Sequence, residues 1–452
     1  MCDLVAKYNV PGPRYTSYPT VPYWDVDSFT GKAWKESVVR AFSESNEKTG
    51  ISLYIHLPFC ESMCTFCGCH KRITRRHSVE VPYISSLLKE WELYRKLFGK
   101  RPVIRELHLG GGTPTFFSPE NLKMLLEGIF RYAERPEEWE YSFEGHPANT
   151  TREHLKVLYQ AGFRRVSYGV QDYNETVQRA IHRIQTYEQV AEITKISREE
   201  GFTSVGHDII YVLPFQTASH VEETLKKTAE IRPDRLAFYS YAHVPWLKGN
   251  GQRGFQDSDL PSPDEKRRQY ELGKEILGAA GYQEIGMDHY ALETDSLYQS
   301  MINGGLHRNF MGYTVSRTQM MVGLGVSSIS DSWYGFAQNV KSIEEYEHLV
   351  SSGIIPVFRG HLLSEEDQLV RRHILDLMCR FKTRWDKGLS AERIAEIRER
   401  LSEPEADGLL ILKPDTVEVT EPGRVFIRNI CMAFDLHLHN KVPETRLFSM
   451  TV

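Results

Sequence analysis

The chain of 452 residues carries a formal net charge of -5, with 41% hydrophobic and 25% charged residues. These proportions are those of an ordinary soluble globular protein of two or three domains. The weak net charge offers no attraction for nucleic acid, and the lack of any run of about 18 apolar residues excludes a membrane span.

Residues 1–50 predict an extended arm followed by a helical stretch. Pro11, Pro13 and Pro19 are expected to exclude regular structure from the first twenty residues, because proline fixes its backbone angle and lacks an amide proton. This segment also lacks the apolar core and small-residue cleavage site of an export signal. We therefore expect a cytoplasmic protein.

Strand and helix patterns alternate from residue 51 to residue 281. Ser118 and Thr151 are typical helix-start residues, and Gly162, Gly201 and Gly281 stand where helices are expected to end. Apolar and β-branched runs predict six strands, at 51–59, 103–110, 140–146, 164–170, 204–213 and 235–244. Amphipathic patterns predict six helices, at 81–99, 118–134, 151–162, 186–201, 218–231 and 263–281.

Six strand–helix units predict a parallel sheet covered by helices. A doubly wound sheet and a barrel both fit this alternation, but six units are too few for a closed eight-stranded barrel. Six units do suit a partial (β/α)6 TIM-like barrel, so two α/β architectures stay open at this point. In either architecture the functional site lies at the carboxyl ends of the strands.

The alternation stops after residue 340. The remaining patterns predict two helices, a hairpin and a final helix, at 364–383, 390–401, 409–423 and 424–439. We therefore expect three parts. They are an arm and helix at 1–50, a barrel with an extension at 51–340, and a mostly helical domain with a short hairpin at 341–452.

Four of the seven cysteines fall within ten residues, in the segment Cys60-Glu-Ser-Met-Cys64-Thr-Phe-Cys67-Gly-Cys69. The odd count, the clustering and the missing export signal argue against disulfides. The segment begins where the first predicted strand ends. Thiolates at this spacing can bind three irons of an iron–sulfur cluster and leave the fourth iron open to a small ligand.

Two other kinds of site use cysteines at similar spacing. A zinc site needs a second, distant pair of cysteines or histidines, and no such pair follows. A thioredoxin-like pair at Cys64 and Cys67 leaves Cys60 unexplained and lacks the helix start that follows such a pair. The sequence therefore favours a [4Fe–4S] cluster on Cys60, Cys64 and Cys67.

The C-x-x-x-C-x-x-C spacing, with an aromatic residue before the third cysteine, resembles the radical S-adenosylmethionine (SAM) superfamily. The resemblance implies that the open iron binds the amino and carboxylate groups of SAM, which is cleaved to methionine and a 5′-deoxyadenosyl radical. The tract Gly110-Gly111-Gly112 follows the second predicted strand, where the superfamily places a glycine-rich stretch against the methionine end.

Further motifs extend from the arm to the C-terminal domain. Together they resemble the oxygen-independent coproporphyrinogen III oxidase family over nearly the whole chain. The matching segments are 8–19, 67–69, 169–172, 208–211, 241–243, 286–289, 306–310 and 428–431.

This family resemblance implies the radical SAM type of partial barrel, with an extended arm and a mostly helical C-terminal domain. It implies oxidative decarboxylation of two propionate side chains of coproporphyrinogen III to vinyl groups, which gives protoporphyrinogen IX in heme biosynthesis. It also implies two SAM molecules and a low-potential electron donor such as flavodoxin or ferredoxin. Nothing in the sequence demands more than a monomer.

The resemblance assigns candidate site residues by position. Catalytic roles are implied for Tyr54, Glu144, Cys69 and Phe310. The cluster-bound SAM would contact Tyr54, Gly111, Glu144 and Ile329. The second SAM would contact Phe66, Gly112, Thr113, Gln171, Arg183, Asp208 and Ala242, with Cys69 nearby.

The tetracarboxylate substrate requires cations near the mouth of the site. Arg14, Arg308 and the run 71–77 are candidates, although Arg75 and Arg76 fit a solvated loop better.

Two alternatives share the same predicted fold. A heme chaperone of this branch usually lacks the fourth cysteine and the long arm, and both are present here. A radical methyltransferase or heme-modifying enzyme stays open, because Met311 replaces the glutamine of the best-known oxidases.

Overall fold

The computed structural model describes residues 2–245, 251–252, 254–385, 388–440 and 448–451. Two helices precede the first strand, α1 (Cys2–Tyr8) and α2 (Gly31–Ser45). The prediction that the first twenty residues lack regular structure is therefore wrong for α1. The helix ends before Pro11, so no proline interrupts it.

The predicted strand–helix alternation is confirmed. The strands are β1 (Ile51–Leu57), β2 (Phe59–Cys60), β3 (Arg72–Ile73), β4 (Ile104–Gly111), β5 (Glu140–Gly145), β6 (Arg165–Gln171), β7 (Ser204–Tyr211) and β8 (Arg235–Ser240). The helices are α3 (Glu80–Phe98), α4 (Pro119–Phe130), α5 (Arg152–Gln160), α6 (Glu175–Ala180), α7 (Tyr187–Glu199), α8 (Ala218–Ile231) and α9 (Pro263–Ala279).

The helix boundaries have local causes that the sequence anticipated. The side chains of Ser118 and Thr151 accept hydrogen bonds from the backbone N–H groups of the first turns of α4 and α5. Gly162, Gly201 and Gly281 follow α5, α7 and α9 with positive φ angles of 104°, 99° and 87°. Glycine adopts this left-handed conformation without a side-chain clash.

The chain between the barrel and the C-terminal domain adds strands that the sequence did not predict. It contains β9 (Tyr282–Gly286), β10 (His289–Leu292), α10 (Ser296–Ile302), β11 (His307–Asn309), β12 (Gly312–Thr314), β13 (Met320–Leu324), β14 (Ile329–Ser332), β15 (Gly335–Asn339), α11 (Ile343–Ser351) and β16 (Val357–Leu362). Because β16 pairs with β15, the sheet continues past residue 340.

One twelve-stranded sheet forms the barrel and its extension, in the order β16-β15-β14-β13-β1-β4-β5-β6-β7-β8-β10-β9. Neighbouring strands from β13 through β1 to β8 are parallel, and the outer strands on both sides are antiparallel. The first and last strands do not pair, so the barrel stays open. The predicted partial barrel is therefore confirmed, and all its parallel strands end at one rim.

The C-terminal domain contains α12 (Glu365–Arg380), β17 (Lys382–Arg384), α13 (Ala391–Ala406), β18 (Leu410–Leu412), β19 (Thr416–Val419), α14 (Ile427–Met432) and α15 (Leu436–Asn440). The predicted hairpin is confirmed as β18 and β19, with β17 as a third strand.

The prediction of one final helix at 424–439 is wrong, because the chain breaks between α14 and α15. Asp435 accepts the backbone N–H of Leu438 at 2.9 Å and the hydroxyl of Tyr15 at 3.1 Å. This buried carboxylate starts the second helix and binds the arm at the same time.

The arm is part of the C-terminal core. Tyr8, Tyr15 and Tyr18 are buried in the same apolar cluster as α12 and α14. Arg428 on α14 donates to the carbonyl of Pro13 at 3.0 Å and to the carbonyl of Gly12. It also donates to two carbonyl oxygens of the last residues, at 450 and 451. One buried guanidinium therefore joins both ends of the chain.

We expect Arg428→Met to release the arm, because four carbonyl oxygens lose a charged donor. The free energy of unfolding should fall by about 2–4 kcal/mol, and hydrogen exchange at the amide of Gly12, which bonds to Ser449, should accelerate. Arg384→Met, which removes an exposed arginine from β17, is the control. Unchanged exchange at Gly12 in Arg428→Met would contradict this role.

Candidate active site

The cysteine segment lies at the rim where the parallel strands end. Pro58 separates β1 from β2, and Cys60 in β2 pairs with Ile73 in β3. The backbone N–H of Thr65 donates to the carbonyl of Ile181 at 3.0 Å, and its hydroxyl donates to the carbonyl of Ala180 at 2.8 Å. The loop is thus fixed to β3 on one side and to the end of α6 on the other.

Cys60, Cys64 and Cys67 are close enough for their charges to interact. Burial raises the pKa of Cys60 to about 11, while the hydroxyl of Thr113 donates to its Sγ at 3.3 Å. The guanidinium of Arg183 lies 3.8 Å from the Sγ of Cys64. Each of the three thiols has a hydrogen-bond donor or another thiol beside it. Three such thiols on one short loop are a set of ligands that suits an iron–sulfur cluster.

Cys69 differs from these three residues. Cys69 is exposed, whereas Cys60, Cys64 and Cys67 are half-buried, and the neighbouring side chain of Cys69 lowers the pKa of Cys67. Cys69 also lies close enough to Tyr54, in the middle of β1, and to Tyr239, near the end of β8, to interact electrostatically with both. Cys69 therefore lies between the cysteine loop and the strand ends.

The side chains of Tyr54 and His56, two residues apart, lie on the same face of β1. The Nε2 of His56 lies 3.0 Å from the carbonyl of His70, which can only accept, so this nitrogen carries the proton. The Nδ1 of His56 then accepts from the hydroxyl of Tyr54 at 3.0 Å. Burial lowers the pKa of His56 to about 4, which keeps this tautomer neutral.

Glu144 ends β5 and faces the glycine turn after β4. Its carboxylate accepts the N–H of Gly111 at 3.3 Å and lies 3.4 Å from the Nε2 of His108. Burial raises the pKa of Glu144, but the hydrogen bonds from His108 and Gly111 outweigh it and lower the pKa overall. Glu144 is therefore an ionised carboxylate at the rim, able to accept donors from a ligand.

Asp208, in the middle of β7, is a second carboxylate on the inner face of the barrel. It accepts the hydroxyl of Ser167 at 2.9 Å, and burial raises its pKa from 3.8 to about 7. Asp208 and Glu144 both line a cavity of about 140 Å³ inside the barrel, together with Met311. The two carboxylates are near enough for the charge of Glu144 to raise the pKa of Asp208 further.

Gln171 and Arg183 meet beside Gly169 on β6. The Nη2 of Arg183 donates to the carbonyl of Gly169 at 2.7 Å. Gln171 has a φ angle of 68°, and its buried Oε1 has no hydrogen-bond partner among the described residues. A buried amide oxygen in this position is available to a donor from a bound molecule.

Four more of the predicted residues fall into two pairs. The side-chain amide of Gln252 donates to the carbonyl of Phe66 at 3.2 Å and to that of Ala242 at 2.8 Å, so it brings these two segments together. Phe310 and Ile329 pack in one apolar cluster with Trp24 from the arm. Ile329 lies against Gly323, the strand neighbour of Tyr54, so this pair borders the β1 side of the site.

His56, His108, Ser167 and Tyr239 belong to the same rim, and the sequence reasoning missed them. Alternation along a strand was the available signal, because side chains two residues apart share one face. His56 shares a face with Tyr54 on β1. The side chains of His108, Ser167 and Tyr239 face the barrel interior because of the way their strands pair. No short sequence motif encodes that strand pairing.

Comparisons with known proteins agree with this architecture. Residues 54–228 match the model of the radical SAM superfamily. The chain is 38% identical to an oxygen-independent coproporphyrinogen III oxidase of Helicobacter pylori, over 96% of each chain. It is also 38% identical to that of Escherichia coli, over 97% of this chain and 95% of the relative.

The chain belongs to the oxygen-independent coproporphyrinogen III oxidase family. The solved coproporphyrinogen III oxidase of Escherichia coli, described as a radical SAM enzyme, superposes with a TM-score of 0.89 at 36% identity and covers 97% of this chain and 99% of that one. Membership of this family implies a [4Fe–4S] cluster and SAM, and the clustered thiols of Cys60, Cys64 and Cys67 fit such a cluster. Among the described residues, no helix combines the length and apolar content of a membrane span.

The raised pKa of Asp208 predicts a pH-dependent stability. The folded chain keeps a proton on Asp208 that the unfolded chain releases near its ordinary pKa of 3.8. Stability therefore falls as the pH rises from about 4 to about 7, by about 1–3 kcal/mol for this partly accessible group. We expect Asp208→Asn, which keeps the acceptor for Ser167, to remove this loss.

Thermal midpoints between pH 5 and pH 8 measure this effect. The midpoint of Asp208→Asn should increasingly exceed that of the wild type as the pH rises. Asp27→Asn, at an exposed position, is the control and should follow the wild type at every pH. Parallel curves for Asp208→Asn and the wild type would contradict the raised pKa.

Proposed function

We propose that the protein catalyses the oxygen-independent oxidative decarboxylation of two propionate side chains of coproporphyrinogen III. The product is protoporphyrinogen IX, a precursor of heme. The observation that carries this proposal is that Cys69 of the cysteine loop lies near Glu144, which shares the barrel cavity with Asp208, in a chain of this family.

The cysteine loop supports cluster binding by Cys60, Cys64 and Cys67. When bound, the cluster and SAM supply a 5′-deoxyadenosyl radical that removes a hydrogen atom from the β-carbon of a propionate. We place the cluster-bound SAM between β1, the glycine turn and β5, where the N–H of Gly111 and the carboxylate of Glu144 meet. Its contacts would be Tyr54, Gly111, Glu144 and Ile329.

A second SAM would lie on the β6–β8 side of the rim. The open oxygen of Gln171 and the carboxylate of Asp208 can accept from an ammonium or a ribose, and Arg183 can donate to a carboxylate. Its contacts would be Phe66, Gly112, Thr113, Gln171, Arg183, Asp208 and Ala242. Cys69, between the two groups, is proposed as a catalytic residue together with Tyr54, Glu144 and Phe310.

A cavity of about 340 Å³ next to Ala242 has the charge that a polycarboxylate requires. It lies between the ends of β7 and β8, α9, the arm and the C-terminal domain, and its lining holds five cations against three carboxylates. The cations are Arg14, Lys266, Arg267, Arg424 and Arg428, and the carboxylates are Asp264, Glu284 and Asp288. Burial and the charges of Arg428 and Arg14 lower the pKa of Lys266 to about 8. An anion bound there would relieve this repulsion, so the cavity suits propionate groups.

The reduction of the cluster requires a low-potential electron donor, and a flavodoxin or ferredoxin fits the exposed side of the cysteine loop. Met63 and Ile73 are exposed there, beside Arg75 and Arg76. Apolar and cationic side chains this close to the cluster ligands suit an acidic electron carrier. We also propose that the protein acts as a monomer in the cytoplasm.

The function is tested with anaerobically reconstituted protein, SAM, a reductant and coproporphyrinogen III, followed by mass analysis of the porphyrin products. We expect the loss of two carboxyl groups and the gain of two vinyl groups. Heme bound without decarboxylation would indicate a chaperone, and a methylated porphyrin would indicate a methyltransferase; either result would refute the proposal.

Two cysteine variants locate the cluster in the same assay. Cys64→Ala should lose the visible absorbance of the cluster and all decarboxylation. Cys69→Ser should retain the absorbance, because it leaves the three proposed ligands in place, and should lose turnover by at least about tenfold. A complete cluster in Cys64→Ala would contradict the ligand assignment.

The cationic cavity predicts a pH-dependent affinity for the substrate. Lys266 carries its charge below its pKa of about 8, so the binding of coproporphyrinogen should weaken as the pH rises from 8 to 9. In Lys266→Met, we expect binding at pH 7 about tenfold weaker and this dependence on pH lost. Equilibrium binding under anaerobic conditions measures both effects.

Arg268→Met is the matched control on the same helix. Arg268 is exposed on α9 and does not line the cavity. This variant should bind the substrate as the wild type does. Equal affinities for Lys266→Met and Arg268→Met would remove the cavity from the proposed substrate site.

A further inference from the structure

Three side chains from distant parts of the chain converge away from the cysteine loop. His361 lies on β16, Asp367 in the first turn of α12 and His437 on α15. One donor atom from each residue lies within 4.8 Å of the other two. Among the described residues, no other group of three histidine, cysteine or acidic side chains meets this condition.

The distances within this group suit ligands of one metal ion. The Nε2 of His437 lies 2.7 Å from Oδ1 of Asp367, and the Nε2 of His361 lies 3.4 Å from Oδ2. Around a tetrahedral zinc ion with bonds of about 2.0–2.1 Å, neighbouring ligand atoms are about 3.3 Å apart. Small side-chain movements would therefore bring the three donors onto a common centre.

We propose that His361, Asp367 and His437 bind a divalent transition-metal ion, with Zn²⁺ the best match. Two imidazoles and one carboxylate are borderline ligands that zinc accepts, and a water molecule completes the four-coordinate sphere. The side chains of His361 and His437 are 18% and 30% exposed, so water reaches the site. The inference does not rest on the proposed function.

The surroundings hold the carboxylate in the orientation that a metal ligand requires. The backbone N–H and the hydroxyl of Ser364 donate to Oδ2 of Asp367, at 3.0 Å and 2.7 Å. Neither bond uses a histidine nitrogen, so both would remain when the imidazoles bind a metal. Asp367 is therefore oriented as expected of a metal ligand with supporting hydrogen bonds.

A hydrogen-bonded network without metal is the competing interpretation. Asp367 completes a capping box with Ser364 at the start of α12, and this role alone explains its position. It does not explain why two histidines from separate segments point a ring nitrogen at one carboxylate. The two interpretations differ in a measurable quantity, which is bound metal.

The position of the site indicates a structural role. Its ligands join the edge strand of the large sheet to two helices of the C-terminal domain. The ring of Tyr18 from the arm lies 5.7 Å from the ring of His437. A metal at this point would connect the barrel, the arm and the C-terminal domain.

The test uses untagged, anaerobically reconstituted protein, so that neither a histidine tag nor free cluster cysteines bind zinc. The protein is equilibrated with a weak chelator, dialysed against zinc chloride, and analysed for zinc and iron by mass spectrometry. We expect one zinc per chain in addition to the cluster iron. His361→Gln and His437→Gln should bind zinc at least about 100-fold more weakly with iron content unchanged.

His348→Gln, at an exposed position on α11, is the matched control and should retain the zinc. Cobalt in the wild-type protein provides a readout that does not depend on any variant folding. We expect visible bands of four-coordinate cobalt without a thiolate-to-cobalt charge-transfer band. A chain without zinc, zinc retained in both histidine variants, or a thiolate band would each overturn the proposal.

Discussion

The close contact between the glycine turn after β4 and the end of β1 is the constraint on which the site depends. A Cβ atom at Gly111 would lie 2.7 Å from the ring of His56, and one at Gly112 would lie 2.7 Å from the carbonyl of Pro58. Because neither residue has a Cβ, the backbone continues alongside the cysteine segment, and the N–H of Thr113 donates to the carbonyl of Phe59 at 3.0 Å. Any side chain here would separate the cysteine loop from the strand ends.

The carboxylates of the site differ in their protonation state. Glu144 is kept ionised by donors from its neighbours, whereas burial raises the pKa of Asp208 to about 7. Deeper in the barrel, burial likewise raises the pKa of Glu106 to about 7, and it accepts a hydrogen bond from Thr314 in the extension. The extension therefore contributes to the barrel interior as well as to the sheet edge.

The sequence predicted the barrel because its strands and helices are local patterns, and it predicted the cysteine loop because those ligands are adjacent. It failed where the cause is long-range: the break before α15 depends on the hydroxyl of Tyr15 reaching Asp435 across the whole chain. Strands β13, β14 and β15 were missed because short, fully buried runs carry no periodicity. The residues named from family resemblance lie around the barrel rim, and their roles are proposals. Alternation along β1 could have located His56 beside Tyr54, but spacing alone could not have located Lys266.

In the proposed reaction, the 5′-deoxyadenosyl radical would abstract a hydrogen atom from the β-carbon of a propionate held at the same rim. The most direct measurement uses coproporphyrinogen III deuterated at the β-carbons of its propionates in an anaerobic reaction with SAM. We expect deuterium in the 5′-deoxyadenosine, with one labelled molecule for each vinyl group formed. Vinyl formation with unlabelled 5′-deoxyadenosine would contradict the account.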